Sequence, residues 1–121
     1  MSATKAARNA VHTALASVAG LPARAVVNHE PVPGSLPTPL AVTIATTGVD
    51  ATEVRITVRV YVQGIDASRA WDALDDTVDA VEAAFDTGLA ACPRSSWEYG
   101  WVEELAAFTA TCQLAYPRND F

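Results

Sequence analysis

Residues 53–63, Glu-Val-Arg-Ile-Thr-Val-Arg-Val-Tyr-Val-Gln, carry an apolar side chain at every second position without a break. Successive side chains of a strand point to opposite faces. Val54, Ile56, Val58, Val60 and Val62 therefore share one face, and Arg55, Thr57, Arg59, Tyr61 and Gln63 the other. The spacing predicts a strand with a core face and a polar face bearing two arginines. Whatever else the chain does, it must build a layer to cover those five aliphatics.

The flanking segments supply that layer. Leu40–Thr46 alternates Leu40, Val42, Ile44 against Ala41, Thr43, Ala45, and Gly48 with Val49–Asp50 reads as the turn of a hairpin. After the long strand, Gly64 is a stop and Asp66 a cap for a helix reaching about Asp86, with Gly88 as its end signal. Trp71, Leu74, Val78, Val81 and Phe85 form its expected buried stripe. An earlier helix runs from a Ser2 or Thr4 cap to about Ala19, with Ala7, Val11, Ala14, Leu15 and Val18 inward and Gly20 and Pro22 closing it. Arg24–Asn28 is a short candidate edge strand. Residues 29–39 hold four of the seven prolines and are expected as a loop or arm, since proline cannot donate to a central ladder. Residues 97–104 and 105–117 read as two closing strands with Glu103-Glu104 at their turn. The expected architecture is α+β: a roughly four-stranded, largely antiparallel sheet, two main helices packed on it, and a Pro-rich loop or arm, all in one domain over residues 1–121.

At 121 residues and 50% hydrophobic content the chain can bury a single core, built mostly of small parts because 24 Ala and 14 Val outweigh the 7% aromatics. Net charge is −6 and is concentrated in residues 66–86, where seven acids face Arg69 alone. Lysine and arginine are not clustered as phosphate binding requires, so direct DNA binding is not expected. No apolar run reaches the roughly 20 residues that cross a bilayer. Arg8, Asn9 and His12 interrupt the Ala-rich N-terminal stretch, so no signal peptide is read and the expected location is the cytoplasm of the producing cell. Cys92 and Cys112 lie twenty positions apart without a paired spacing; both read as small buried hydrophobes, Cys112 within the alternation of the last strand.

No residue pattern argues for catalysis. His12 and His29 have no nucleophile or carboxylate at a diagnostic spacing. Asp75-Asp76 and Asp79 sit on a regular helix, which cannot wrap a cation as an irregular loop does, so they read as a solvated face. Phosphate-cradling glycine loops and hydrolase or metalloprotease signatures are missing. Trp97, Tyr99 and Trp101 alternate onto one strand face. Their neighbours are Glu98, Glu103 and Glu104, which favours packing or a subunit interface over a nucleobase platform.

The passage Arg55-Ile-Thr-Val-Arg-Val-Tyr-Val-Gln-Gly followed by Ala70-Trp71-Asp72-Ala73-Leu74-Asp75-Asp76-Thr77-Val78-Asp79-Ala80-Val81 resembles the tail terminator proteins of long-tailed (siphovirus-type) phages, above all the short Ala/Val-rich versions of actinobacteriophages. The opening helix, the Pro-rich loop and the closing strand near Phe108–Leu114 fit the same pattern. The resemblance implies a structural virion protein, a hexameric ring that caps the tail tube, ends tube polymerisation and forms the surface that joins the head. Implied partners are further copies of the chain, the major tail tube protein and the head-completion or connector protein. DNA would pass through the pore without specific binding, and no membrane, cofactor, metal or catalytic residue is implied. On this reading the candidate interface residues are Arg55, Arg59 and Tyr61 on the sheet, Asp72, Asp75, Asp76 and Asp79 on the helix, and Pro31, Pro33, Pro37 and Pro39 in the arm. Two other readings remain open: a different head-tail joining or neck protein, and a small-ligand-binding α+β module with the aromatic trio lining its pocket.

Overall fold

The computed structural model describes residues 3–18, 21, 25–27, 36, 39–63 and 67–118. In chain order the elements are α1 (Ala3–Leu15), β1 (Val26–Val27), β2 (Leu40–Val49), β3 (Glu53–Gln63), α2 (Ala67–Gly88), β4 (Glu98–Val102) and β5 (Ala107–Pro117). The four long strands make an antiparallel meander with one swap, and the two-residue β1 joins its edge parallel to β2. Across the sheet the order is β1-β2-β3-β5-β4, so β5 lies inside and β4 outside. The fold is α+β, with both helices on one face.

The alternation in β3 governs that face. Val54, Ile56, Val58, Val60 and Val62 are all buried, opposite Val42 and Ile44 of β2 and Ala110 and Leu114 of β5. Val58, for instance, stands between Ile44 and Cys112. From above, Ala7, Val11, Ala14 and Leu15 of α1 and Leu74, Val78, Val81 and Phe85 of α2 complete the core. Where the helices meet, a Cβ placed on Gly88 would lie 3.5 Å from the Ala14 Cβ, ordinary contact between two small residues. Removing a buried aliphatic from such a core costs about 2–5 kcal/mol, because the cavity only partly collapses.

Several boundaries and one inward residue differ from expectation. Regular helix in α1 stops at Leu15 instead of about Ala19. Ser17 and Val18 turn back with N–H bonds to residues three earlier, and the Ser17 hydroxyl donates to the Ala14 carbonyl at 2.7 Å, so side chain and backbone share the last turn. In β2 the strand continues past Thr46 through a bulge at Thr47 to Val49, which carries the hairpin farther than the Gly48 signal suggested. Trp71 is not in the buried stripe. Ala70 takes the inward position, 3% exposed, while Trp71 is 37% exposed on the helix flank. Both satisfy helical spacing to Leu74, and the smaller side chain fits over the valine-rich sheet.

The reverse face of the sheet is less polar than its alternation implied. Tyr61 is 2% exposed and joins Ala41, Leu105 and Ala107 in a second cluster, against which Leu36 and Val102 pack. Thr43, Thr57 and Thr109 are buried on the same face. Between β4 and β5 a 3-10 turn at Glu103–Leu105 replaces the simple turn expected at Glu103-Glu104. Ala106 closes it in the left-handed region at φ 49°, its N–H donating to the Glu103 carbonyl at 3.1 Å. An alanine there carries backbone strain of about 1 kcal/mol.

Candidate functional site

The hairpin end of the reverse face is a closed polar network. The Asp50 carboxylate accepts from the Thr52 N–H (2.8 Å), the Thr52 hydroxyl (2.9 Å), the Glu53 N–H (2.9 Å) and Arg55 Nη1 (2.9 Å). Those bonds to Thr52, then Glu53 and Arg55, hold its pKa at about 2, below the usual carboxylate value. Arg55 lies along the strand beside Gly48, and any side chain at 48 would meet the guanidinium. Farther along, Arg59 Nε donates to the Thr111 hydroxyl at 3.0 Å and Nη1 to the Tyr61 hydroxyl at 3.3 Å. Of the three sheet residues expected at an interface, Arg55 is thus ion-paired within the chain, Arg59 is hydrogen-bonded across strands, and Tyr61 is buried.

The acidic residues of α2 divide into two groups. Asp72, Asp75, Asp76 and Asp79 are all exposed, as the sequence predicts. Asp75 accepts from the Tyr99 hydroxyl at 2.9 Å; among the described residues the other three form no ion pair. Toward the C-terminus, Glu82 and Asp86 are both bound by Arg94, at 3.1 Å for the Glu82 contact. Glu82 also accepts from Trp97 Nε1 at 2.6 Å, and the Arg94 guanidinium lies 5.8 Å from the centre of the Phe85 ring. Asp86, placed against the helix dipole in sequence, is compensated by this arginine.

The aromatic trio separates as well. Trp97 is half-buried against the core, whereas Tyr99 and Trp101 are 43% and 50% exposed. Tyr99 stacks on Trp71 with ring centroids 5.4 Å apart, Trp71 meets Phe108 at 5.0 Å, and Trp101 meets Phe108 edge-on at 4.7 Å. This is a continuous aromatic surface joining the N-terminal half of α2 to the outer strand. Partial burial, then the bond to Asp75 and the charges of Asp75 and Asp79, push the Tyr99 hydroxyl up to about 12.

Of the arm residues, Pro39 is exposed and its carbonyl accepts the Gln63 N–H at 2.8 Å, starting the β2–β3 ladder. Pro31, Pro33 and Pro37, like His29, lie outside the described residues. Leu36, between them, packs on the second cluster, so at that point the segment touches the sheet. Cys92 and Cys112 are buried free thiols whose pKa values burial raises, and the Cys112 thiol donates to the Ser95 carbonyl at 3.5 Å. Sequence reasoning did not find the roles of Arg94, Glu82 and Asp50. Each acts across a turn or between elements, where no periodic pattern marks the pairing. Among the described residues no His, Cys, Asp or Glu cluster is placed to hold a metal, and no helix is long and apolar enough to cross a membrane.

Neither the protein-family models nor the curated proteins contain a match to this sequence.

Proposed function

We propose that the chain is a structural virion subunit that caps the tail tube of a long-tailed phage as a ring and presents the surface to which the head connector joins. The observation that carries this reading is the row Asp72, Asp75, Asp76 and Asp79 along the exposed side of α2, three of them with no base to neutralise them among the described residues. In a head-to-tail ring each subunit must offer two different surfaces, and a one-sided charge distribution suits that requirement. Turned toward a pore, the same row would repel the phosphates of passing DNA and keep it from adhering. The likeness of the β3–α2 passage to tail terminators supplies the particular ring. Arg55 and Arg59 would act in it by stiffening the sheet, since both are engaged within the chain.

Solution mass by light scattering over a concentration series, with and without magnesium, tests the ring. Six copies of the 12.7 kDa chain give about 76 kDa. A species of that mass which binds headless tails at one end, and halts further addition of tube protein, is the expected result. A stable dimer that neither binds tube ends nor slows their growth would overturn the proposal.

A further inference from the structure

Three features coincide at the outer edge of the sheet. First, β4 is the end of the order β1-β2-β3-β5-β4, and among the described residues its ladder runs to β5 alone. Its five residues are neither prolines nor lysines, the residues that usually blunt such an edge. Second, on the helix side of that edge Trp71, Tyr99 and Trp101 are exposed large rings, in contact with one another or through Phe108. Single exposed aromatics are ordinary, but a contiguous patch of three marks a contact surface. Third, exposed carboxylates gather at this end of the molecule: Asp75 holds the Tyr99 hydroxyl, Asp72 and Asp79 share its helix, and Glu98, on the reverse face of β4, adds charge at the edge together with Glu103 and Glu104 of the turn after it. The one base of α2, Arg69, already has an interaction of its own.

We propose that the β4 edge takes up an extended strand of a partner polypeptide whose side chains toward the aromatic patch are basic. Backbone bonds to an open edge give such a complex its affinity, and alternate side chains give it selectivity. Arginine or lysine on the partner's helix-side positions would lie over electron-rich ring faces with carboxylates behind them, so cation–π attraction and ion pairing act together. The same charges argue against a second copy using the same edge. Antiparallel pairing of β4 with β4 would bring Glu98 of one copy toward Glu103 and Glu104 of the other, and like charges there oppose association. The edge and its charges favour a basic strand with or without a ring of copies.

The intact chain is titrated with a short peptide alternating arginine and valine, and separately with its counterpart bearing glutamate for arginine. Backbone amide and tryptophan indole signals are followed by NMR. The basic peptide is expected to shift the Trp71 and Trp101 indoles and slow exchange of the β4 amides that do not bond β5. The Trp97 indole, held on Glu82, should stay in place, and the acidic peptide should do neither. Trp101→Ala, checked for an unchanged β3–β5 amide pattern, should weaken the basic peptide by roughly tenfold or more. Shifts confined to the α2 carboxylates without protection in β4 would show a polycation resting on an acidic helix, and an equal response to both peptides would show no selection for charge; either overturns the proposal. So would β4 protection that grows with the chain's own concentration and no peptide, which would assign the edge to a second copy.

Discussion

The two halves of α2 are built from the same parts and finished differently. Each sets carboxylates and an aromatic residue of the helix beside aromatic or basic residues from the chain that follows it. At the C-terminal half, Arg94 binds Glu82 and Asp86, Trp97 donates to Glu82, and Phe85 is fully buried beneath. At the N-terminal half, Asp75 receives, among the described residues, the Tyr99 hydroxyl alone, Trp71 stacks in the open, and Trp101 is half exposed. One half satisfies its charges internally and serves the fold. The other leaves charge and apolar area available, which is what a contact surface retains. The difference lies in a single arginine: the C-terminal acids have one, and the N-terminal acids have none committed to them among the described residues.

Substitutions can break this contrast in order of size. Phe85→Ala opens a cavity under the closed half and should lower unfolding free energy by about 3–5 kcal/mol in urea denaturation. Arg94→Met keeps the apolar stem over Phe85 but leaves Glu82 and Asp86 without their cation. A loss of about 1–2 kcal/mol is expected, between the values for charged hydrogen bonds and for exposed pairs, and added salt should shrink it. Trp71→Ala in the open half removes two ring contacts and should cost only about 0.5–1.5 kcal/mol by the same assay. If Trp71→Ala proved as costly as Phe85→Ala, the open half would be core and the contrast would fail. The smallest effect is a pH dependence. The Tyr99 pKa is raised in the folded chain, so the folded state holds its proton more tightly than the unfolded one. Its contribution to stability is present below pH about 10 and is lost as pH climbs toward about 12. Ultraviolet titration should find a late-ionising tyrosine component that Tyr99→Phe removes.

What the sequence revealed follows from which interactions are periodic. The alternation of β3 and the stripe Leu74, Val78, Val81, Phe85 are repeated signals, and both reappear as buried faces. Cys112 was legible for the same reason. Periodicity names a face but not what covers it, so Tyr61 read as polar surface although Leu105, Ala107 and Leu36 enclose it. It also cannot choose between adjacent positions one turn from the next anchor, which is how Ala70 and not Trp71 came to face the sheet. The candidate surface was half legible. The acids of α2 were evident, and so was the shared face of Tyr99 and Trp101. Their junction through Trp71 and Phe108 depends on α2 lying across the outer strands, a tertiary fact with no local signature.

The position of β5 has a consequence for how the protein comes into being. It is the last described element in chain order, yet it fills the gap between β3 and β4, and Arg118 just beyond it ties the strand's end to Thr52 and Asp50 at the hairpin turn. During synthesis β4 therefore emerges before β5, the one strand it bonds among the described residues. Until residues 107–117 have left the ribosome, Trp101 has no Phe108 to rest on and β3 keeps an open side. Through that interval the nascent chain carries an open strand edge and an uncovered ring, the kind of exposure that makes incomplete chains prone to misassociation.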